Sequence, residues 1–175
     1  MNFIQFLLRA LDCFSETFGR ALSLLTLIMM LLLSLVVILR YGFGVGSIAL
    51  QESVTYLHAT VFMLGIAYTF KLDGHVRVDI FYRHFSVRSK AWVNSLGGII
   101  LLLPICIYIG LISISFVGQS WQILESSSEP GGLPAVFLFK TLIPLMAATL
   151  SLQAIADITR NALTLIKTEH GNNHG

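Results

Sequence analysis

"ALSLLTLIMMLLLSLVVIL", Ala21–Leu39, is a run of 19 residues without a charge, built almost wholly from Leu, Ile, Met, Val and Ala. As a helix rising about 1.5 Å per residue it would be about 29 Å long. That matches the roughly 30 Å hydrocarbon core of a bilayer. It is apolar on every side, so it has no face to offer to water, and a helix of this kind is buried or lies in lipid.

The rest of the chain agrees with lipid. Of the 175 residues 55% are hydrophobic and 11% charged, with a mean hydropathy of +0.81; ordinary soluble domains carry about 25% charged residues. Three further runs have the length of a span: Ser53–Phe70, interrupted by His58; Val93–Val117; and Ala135–Ala156, uncharged except for Lys140 and Asp157 just beyond it. The expected fold is therefore an all-α integral membrane protein, one membrane domain over residues 1–175, with spans at about 21–39, 53–70, 93–117 and 135–156.

Lys and Arg near the span ends set orientation, because they are held on the cytoplasmic side. Arg9, Arg20, Lys71, Arg77, Arg83, Arg88, Lys90, Arg160 and Lys167 fall on one side, and only Arg40 and Lys140 on the other. With an even number of spans this places both termini in the cytoplasm.

The N-terminal segment is no secretory signal, since Arg9, Asp12, Glu16 and Arg20 interrupt it. Its apolar residues Ile4, Leu7, Leu11, Phe14 and Phe18 recur at helical spacing. Two readings stay open: an amphipathic helix lying in the membrane surface, or a lead-in helix packed on protein. The loop "KLDGHVRVDIFYRHF", Lys71–Phe85, gathers much of the charge between spans two and three. An isolated strand beside a bilayer would leave its edges unpaired. From Asp79 onward Ile80, Phe81, Phe85 and Trp92 share roughly one side of a helical wheel, which predicts an interfacial helix there, against the alternative of a solvated basic loop that only orients the protein.

A translocation path needs ionisable groups facing a bundle interior, since a charge at mid-membrane costs at least about 2.5 to 3.5 kcal/mol. No carboxylate lies inside a predicted span: Glu52 stands at a span entrance, Glu125 and Glu129 in the outer loop, Asp157 at the inner exit. Lys140 either snorkels to the headgroups or pairs with Glu52, Glu125 or a carboxylate on a partner. A lone membrane histidine such as His58 is more often an interhelical hydrogen-bond partner than a metal ligand. Trp92 and Trp121 are expected as anchors at the two membrane interfaces. Ala147 and Ser151 form a small-xxx-small pair that permits close helix approach. Cys13 and Cys106 read as free thiols.

With these residues in view, Glu52–Asp79, "ESVTYLHATVFMLGIAYTFKLDGHVRVD", resembles the second span and following loop of the small membrane subunit of tripartite ATP-independent periplasmic transporters, the DctQ-like family. The matching positions are Glu52, Leu64, Gly65, Ile66, Ala67, Gly74, His75, Val76, Val78 and Asp79. The last loop and span are similar as well, through Gly132, Leu133, Pro134, Lys140, Pro144 and Gln153. The resemblance implies a sodium-coupled importer of organic acids in the bacterial inner membrane, made of two membrane subunits and a periplasmic binding protein. In that family the large subunit holds the substrate and moves, while the small one packs on its static scaffold.

On this reading the chain is not an enzyme, has no cofactor, metal or substrate site, and has no nucleic-acid partner; its partners are the large subunit, the binding protein and membrane lipids. Glu52, His75, Asp79 and Lys140 are the candidate scaffold or subunit-interface residues. The outer loop Ser126–Pro134 is a candidate contact for the binding protein, against the alternative of a plain turn. A competing class is an anchor or regulatory subunit of another complex, such as a haem-bearing oxidoreductase. That anchor would need paired axial histidines in facing spans, and His58 alone lies inside one.

Overall fold

The structure is a computed structural model that describes residues 3–74 and 82–172. It is helical, with no strand among the described residues. Four helices follow in order: α1 (Phe3–Gly42), α2 (Ile48–Lys71), α3 (Val87–Gln122) and α4 (Val136–Asn172). Each contains a stretch long and apolar enough to cross a membrane. The predicted hairpin residues His75 and Asp79 lie outside the described residues.

Glycine and hydroxyl residues punctuate the helices. After α1 the chain turns through "FGVGS", with Gly44 at φ +67° and the Val45 N–H bonded to the Leu39 carbonyl at 2.9 Å. Ser47 then caps α2, its hydroxyl accepting from the Leu50 N–H, which satisfies one of the donors a helix start leaves free. α2 ends in a Schellman turn. The Gly74 N–H reaches the Thr69 carbonyl and the Asp73 N–H that of Phe70, with Asp73 at φ +55°, a conformation Asp tolerates better than most residues.

The helix predicted from Asp79 does not run unbroken to Trp92. The backbone is extended at Ser86 (φ −62°, ψ 160°), whose hydroxyl accepts from the Ser89 N–H, and α3 starts at Val87. Ser at this position favours a cap because its side chain competes for backbone donors. Phe85 therefore precedes the helix, and Trp92 lies in its second turn.

A π turn over Gly98–Leu102 interrupts α3, with the Leu103 N–H bonded to the Gly98 carbonyl. Pro104 follows closely. It offers no N–H to the Ile100 carbonyl and its ring crowds that group, so the wider turn just before it relieves the clash.

α4 is the common neighbour. α2 and α3 pack on it without an extended contact with each other, and α1 packs chiefly on α2. Small side chains make this possible: Ala147, Ala154 and Ala156 on α4 are almost fully buried. Ala147 approaches Gly110 of α3, where an added Cβ would sit 3.6 Å from the Ala147 methyl. The small-xxx-small pair thus serves packing inside this chain. Leu22, Leu64 and Leu142 form the centre of the α1–α2–α4 contact, with Phe18, Leu25, Ala59, Met63 and Phe139 around them.

At about 60 Å, the 40 residues of α1 are twice as long as a hydrocarbon core is thick. The surplus before the first span does not break from the helix. Ser15 donates to Gln153 of α4, and Gly19 lies against the Tyr68 ring of α2, so this part of the segment is packed on protein. Elsewhere large apolar side chains face outward, among them Leu24, Leu31 and Ile38 on α1 and Leu111, Ile112 and Ile114 on α3. In water such a surface would aggregate; in a bilayer it meets lipid.

Candidate functional site

Polar side chains from distant parts of the sequence meet toward the two ends of the apolar runs. At the end carrying the α3–α4 loop, the element that does most of the positioning is the end of α3. Its last turn closes as a Schellman motif, with Glu125 N–H on the Ser120 carbonyl and Leu124 N–H on that of Trp121. Leu124 takes the left-handed position at φ +46°, where glycine is usual. This turn brings the Glu125 carboxylate over α4, and Lys140 meets it at 2.5 Å. The Lys140 ammonium also lies 4.2 Å from the centre of the Phe116 ring, a favourable cation–π geometry. Of the expected alternatives for Lys140, pairing with Glu125 is the one observed. Its ammonium holds the Glu125 carboxyl below the usual carboxylate range.

The loop that follows folds onto Glu52. Glu129, Pro130, Gly131 and Gly132 form a tight turn, with the Gly132 N–H on the Glu129 carbonyl at 3.0 Å and Gly131 at φ +80°. Pro at its second place and a positive-φ glycine at its third are what a type II turn requires. The Ser127 N–H bonds to the Leu133 carbonyl, closing the loop across its neck. Glu52, in the second turn of α2, then accepts from both sides of that neck, from the Ser127 hydroxyl and, at 2.6 Å, from the Leu133 N–H. Gly132 leaves the room for this. A Cβ there would fall 2.4 Å from the Ser127 hydroxyl and 2.8 Å from a Glu52 oxygen.

The segment Ser126–Pro134 is therefore an ordered loop held by a carboxylate of another helix. Val136 N–H bonded to the Glu125 carbonyl leads it into α4. Trp121 adds a further tie: its indole N–H donates to the Thr141 hydroxyl at 2.8 Å, and its ring meets Phe137 edge-on at 4.7 Å. Trp92, near the other end of α3, is half exposed.

The opposite end holds a network that sequence reasoning did not single out. Asp12 of α1 pairs with Arg160 of α4, and Lys71 of α2 donates to the Asp12 carbonyl at 2.8 Å with its carboxylate 3.8 Å away. One aspartate so joins three helices. The sequence signal was present only as an acid in an apolar lead-in and as basic residues tallied for orientation; the pairing spans up to 148 positions, which no local pattern reveals.

His58 sits on the exposed face of α2, its ring stacked with Phe62 at 6.3 Å. It makes no interhelical hydrogen bond among the described residues. Cys13 and Cys106 are both free, and no cluster of three or more His, Cys, Asp or Glu is found among the described residues.

Chemically, the carboxylates at the two ends are engaged in holding backbone and cations, and the arrangement organises loops and helix ends. Comparison with known families matches residues 12–164 to "Tripartite ATP-independent periplasmic transporters, DctQ component". Comparisons with curated proteins and with solved structures return no significant match.

Proposed function

The chain belongs to the DctQ component family of tripartite ATP-independent periplasmic transporters, and from that membership we propose that it works as a static frame in a sodium-coupled importer of organic acids. It packs against the scaffold of the large transport subunit and stays still while that subunit moves substrate. The complex resides in the bacterial inner membrane. Both termini and the loop after α2 face the cytoplasm, and the loop Ser126–Pro134 faces the periplasm.

The observation that carries this reading is where the polar groups are. The ion pairs Lys140–Glu125, Arg160–Asp12 and Lys71–Asp12 lie toward the two ends of the apolar runs, tying helices and loops together. Moving a solute across a bilayer requires polar groups along its path, and clasps at the ends suit a part that must keep its shape. The periplasmic loop, held by Glu52, offers the transient binding protein a surface whose conformation is already set, which lowers the ordering cost of docking. His75 and Asp79 belong, on this reading, to the contact with the large subunit.

The test is to tag the chain in its native membrane, solubilise it gently and identify what co-purifies by mass spectrometry. A near-stoichiometric large polytopic subunit is expected. Recovery of the chain alone, or with a haem or flavin protein, would refute the proposal.

A further inference from the structure

The four helices differ in what they turn outward. The exposed positions of α1 and α3 are aliphatic or aromatic over long stretches, with Leu31 at 59% and Leu111 at 67% exposure. On α2 the exposed positions in the first four turns are Gln51, Thr55, His58 and Phe62, a stripe at helical spacing. Three of the four are polar. The apolar windows tell the same story, with a mean hydropathy of 1.2 for α2 against 3.0 for α1 and 2.6 for α3.

Depth makes His58 the decisive member. It lies ten residues from Ile48 and thirteen from Lys71 within α2, about 15 and 20 Å from the helix ends, so it is near the middle of a bilayer about 30 Å thick. A neutral imidazole carries one N–H donor and one acceptor nitrogen. Lipid tails offer neither group a partner, and leaving them bare in hydrocarbon is costly. Thr55 escapes this cost, because its hydroxyl donates to the Gln51 carbonyl of its own helix at 3.3 Å. His58 has only the flat stacking on Phe62, with 13° between the rings. A face of this kind is built to be covered by protein.

We infer that the α2 stripe of Thr55, His58 and Phe62 is the surface on which a transmembrane helix of the large subunit docks, presenting a hydrogen-bonding side chain opposite His58. This rests on the function proposed above. The occupant is a helix because only a helix satisfies its own backbone at that depth, and its facing group is a hydroxyl, amide or carboxyl because those groups match the imidazole. α1 and α3 keep their aliphatic faces for lipid.

The test uses the tagged full chain in its native membrane, with the photo-crosslinker p-benzoylphenylalanine placed singly at Thr55, Phe62, Leu31 or Leu111. Links to the large subunit are expected from Thr55 and Phe62 and not from Leu31 or Leu111. In parallel, His58→Leu is expected to lower the amount of large subunit retained through purification by about threefold, the size of a typical interhelical hydrogen bond in a membrane, and His58→Gln to restore most of it. If the large subunit co-purifies but links form from Leu31 or Leu111 instead, or if Thr55 and Phe62 link only to a second copy of this chain, the inference is wrong and the proposed function stands. If no large subunit accompanies the unmodified chain, the proposed function fails and takes the inference with it.

Discussion

Glu52 accepts a hydrogen bond at 2.6 Å from the backbone N–H of Leu133, 81 positions further along the chain. A carboxylate in the second turn of one helix thereby sets the conformation of the loop entering another. Its second oxygen takes the Ser127 hydroxyl, so both oxygens are used and both strands of the loop neck are held.

Replacing Glu52 by Ala should free the loop while leaving the helices in place. The Leu133 amide is expected to exchange with deuterium several-fold faster, together with the amides of Ser126–Gly132, and the amides of α3 and α4 to keep their protection. An unchanged loop would show that the turn at Pro130 and Gly131 suffices by itself. Gly132→Ala should reproduce the effect, because its Cβ cannot share the space taken by Ser127 and Glu52.

The Lys140–Glu125 pair predicts an acid limb in stability. The folded-state pKa of Glu125 is held below its ordinary 4.5, chiefly by the Lys140 hydrogen bond. A carboxyl depressed in this way contributes stability that is complete above the ordinary value and is lost as pH falls through the folded one. The Tm of the purified protein should therefore drop as pH falls below about 4.5, and Glu125→Gln should flatten that drop while lowering Tm at neutral pH. Lys140→Glu, which sets two carboxylates against each other, should destabilise this end further at neutral pH and gain back part of the loss on acidification. Equal pH profiles for all three proteins would exclude the clasp.

Gly19 of α1 packs directly against α2. A Cβ there would meet the Tyr68 ring at 2.7 Å, and an aromatic ring packed between helices has little room to give. Gly19→Val is expected to cost about 1 to 3 kcal/mol by forcing the helices apart. Adding Tyr68→Ala should recover part of this, so the two changes together should be less harmful than their sum. Thermal denaturation in detergent measures both.

At Leu124 the fold accepts strain for geometry, since a large apolar side chain stands in the left-handed region at φ +46°. Leu124→Gly relieves a cost of about 1 to 2 kcal/mol, offset by the greater freedom of glycine in the unfolded chain. A net gain of up to about 1 kcal/mol in chemical denaturation is expected, with the Glu125–Lys140 pair intact. A loss would mean that the Leu124 side chain contributes contacts worth more than the strain.

The helices were legible because each span advertises itself. Ala21–Leu39 is uncharged for its whole length, and no other structure can place so long an apolar run out of water. Local grammar also marks the outer loop, where the Pro and Gly of "EPGGLP" stop the chain from continuing as helix. Glu52 and Lys140 were singled out by resemblance, but which partner each would take was not readable. Lys140 had two carboxylates of this chain within plausible reach, and the choice of Glu125 depends on a left-handed turn at Leu124 that nothing in "WQILESS" foretells. Asp12, Lys71 and Arg160 looked like ordinary flanking charges for the same reason: a pairing between distant segments leaves no periodic trace.

Hydropathy thus determined by itself that this is a four-span helical membrane protein, because transfer of apolar side chains and backbone satisfaction are local costs that add along the chain. Tertiary structure alone decided that α4 lies between α2 and α3, that Glu52 holds the loop while Lys140 takes Glu125, and that His58 faces outward. Those outcomes depend on which small residues let which helices approach. That is a matter of close packing in three dimensions, where Gly19 against Tyr68 and Ala147 against Gly110 count for more than the polarity of either segment.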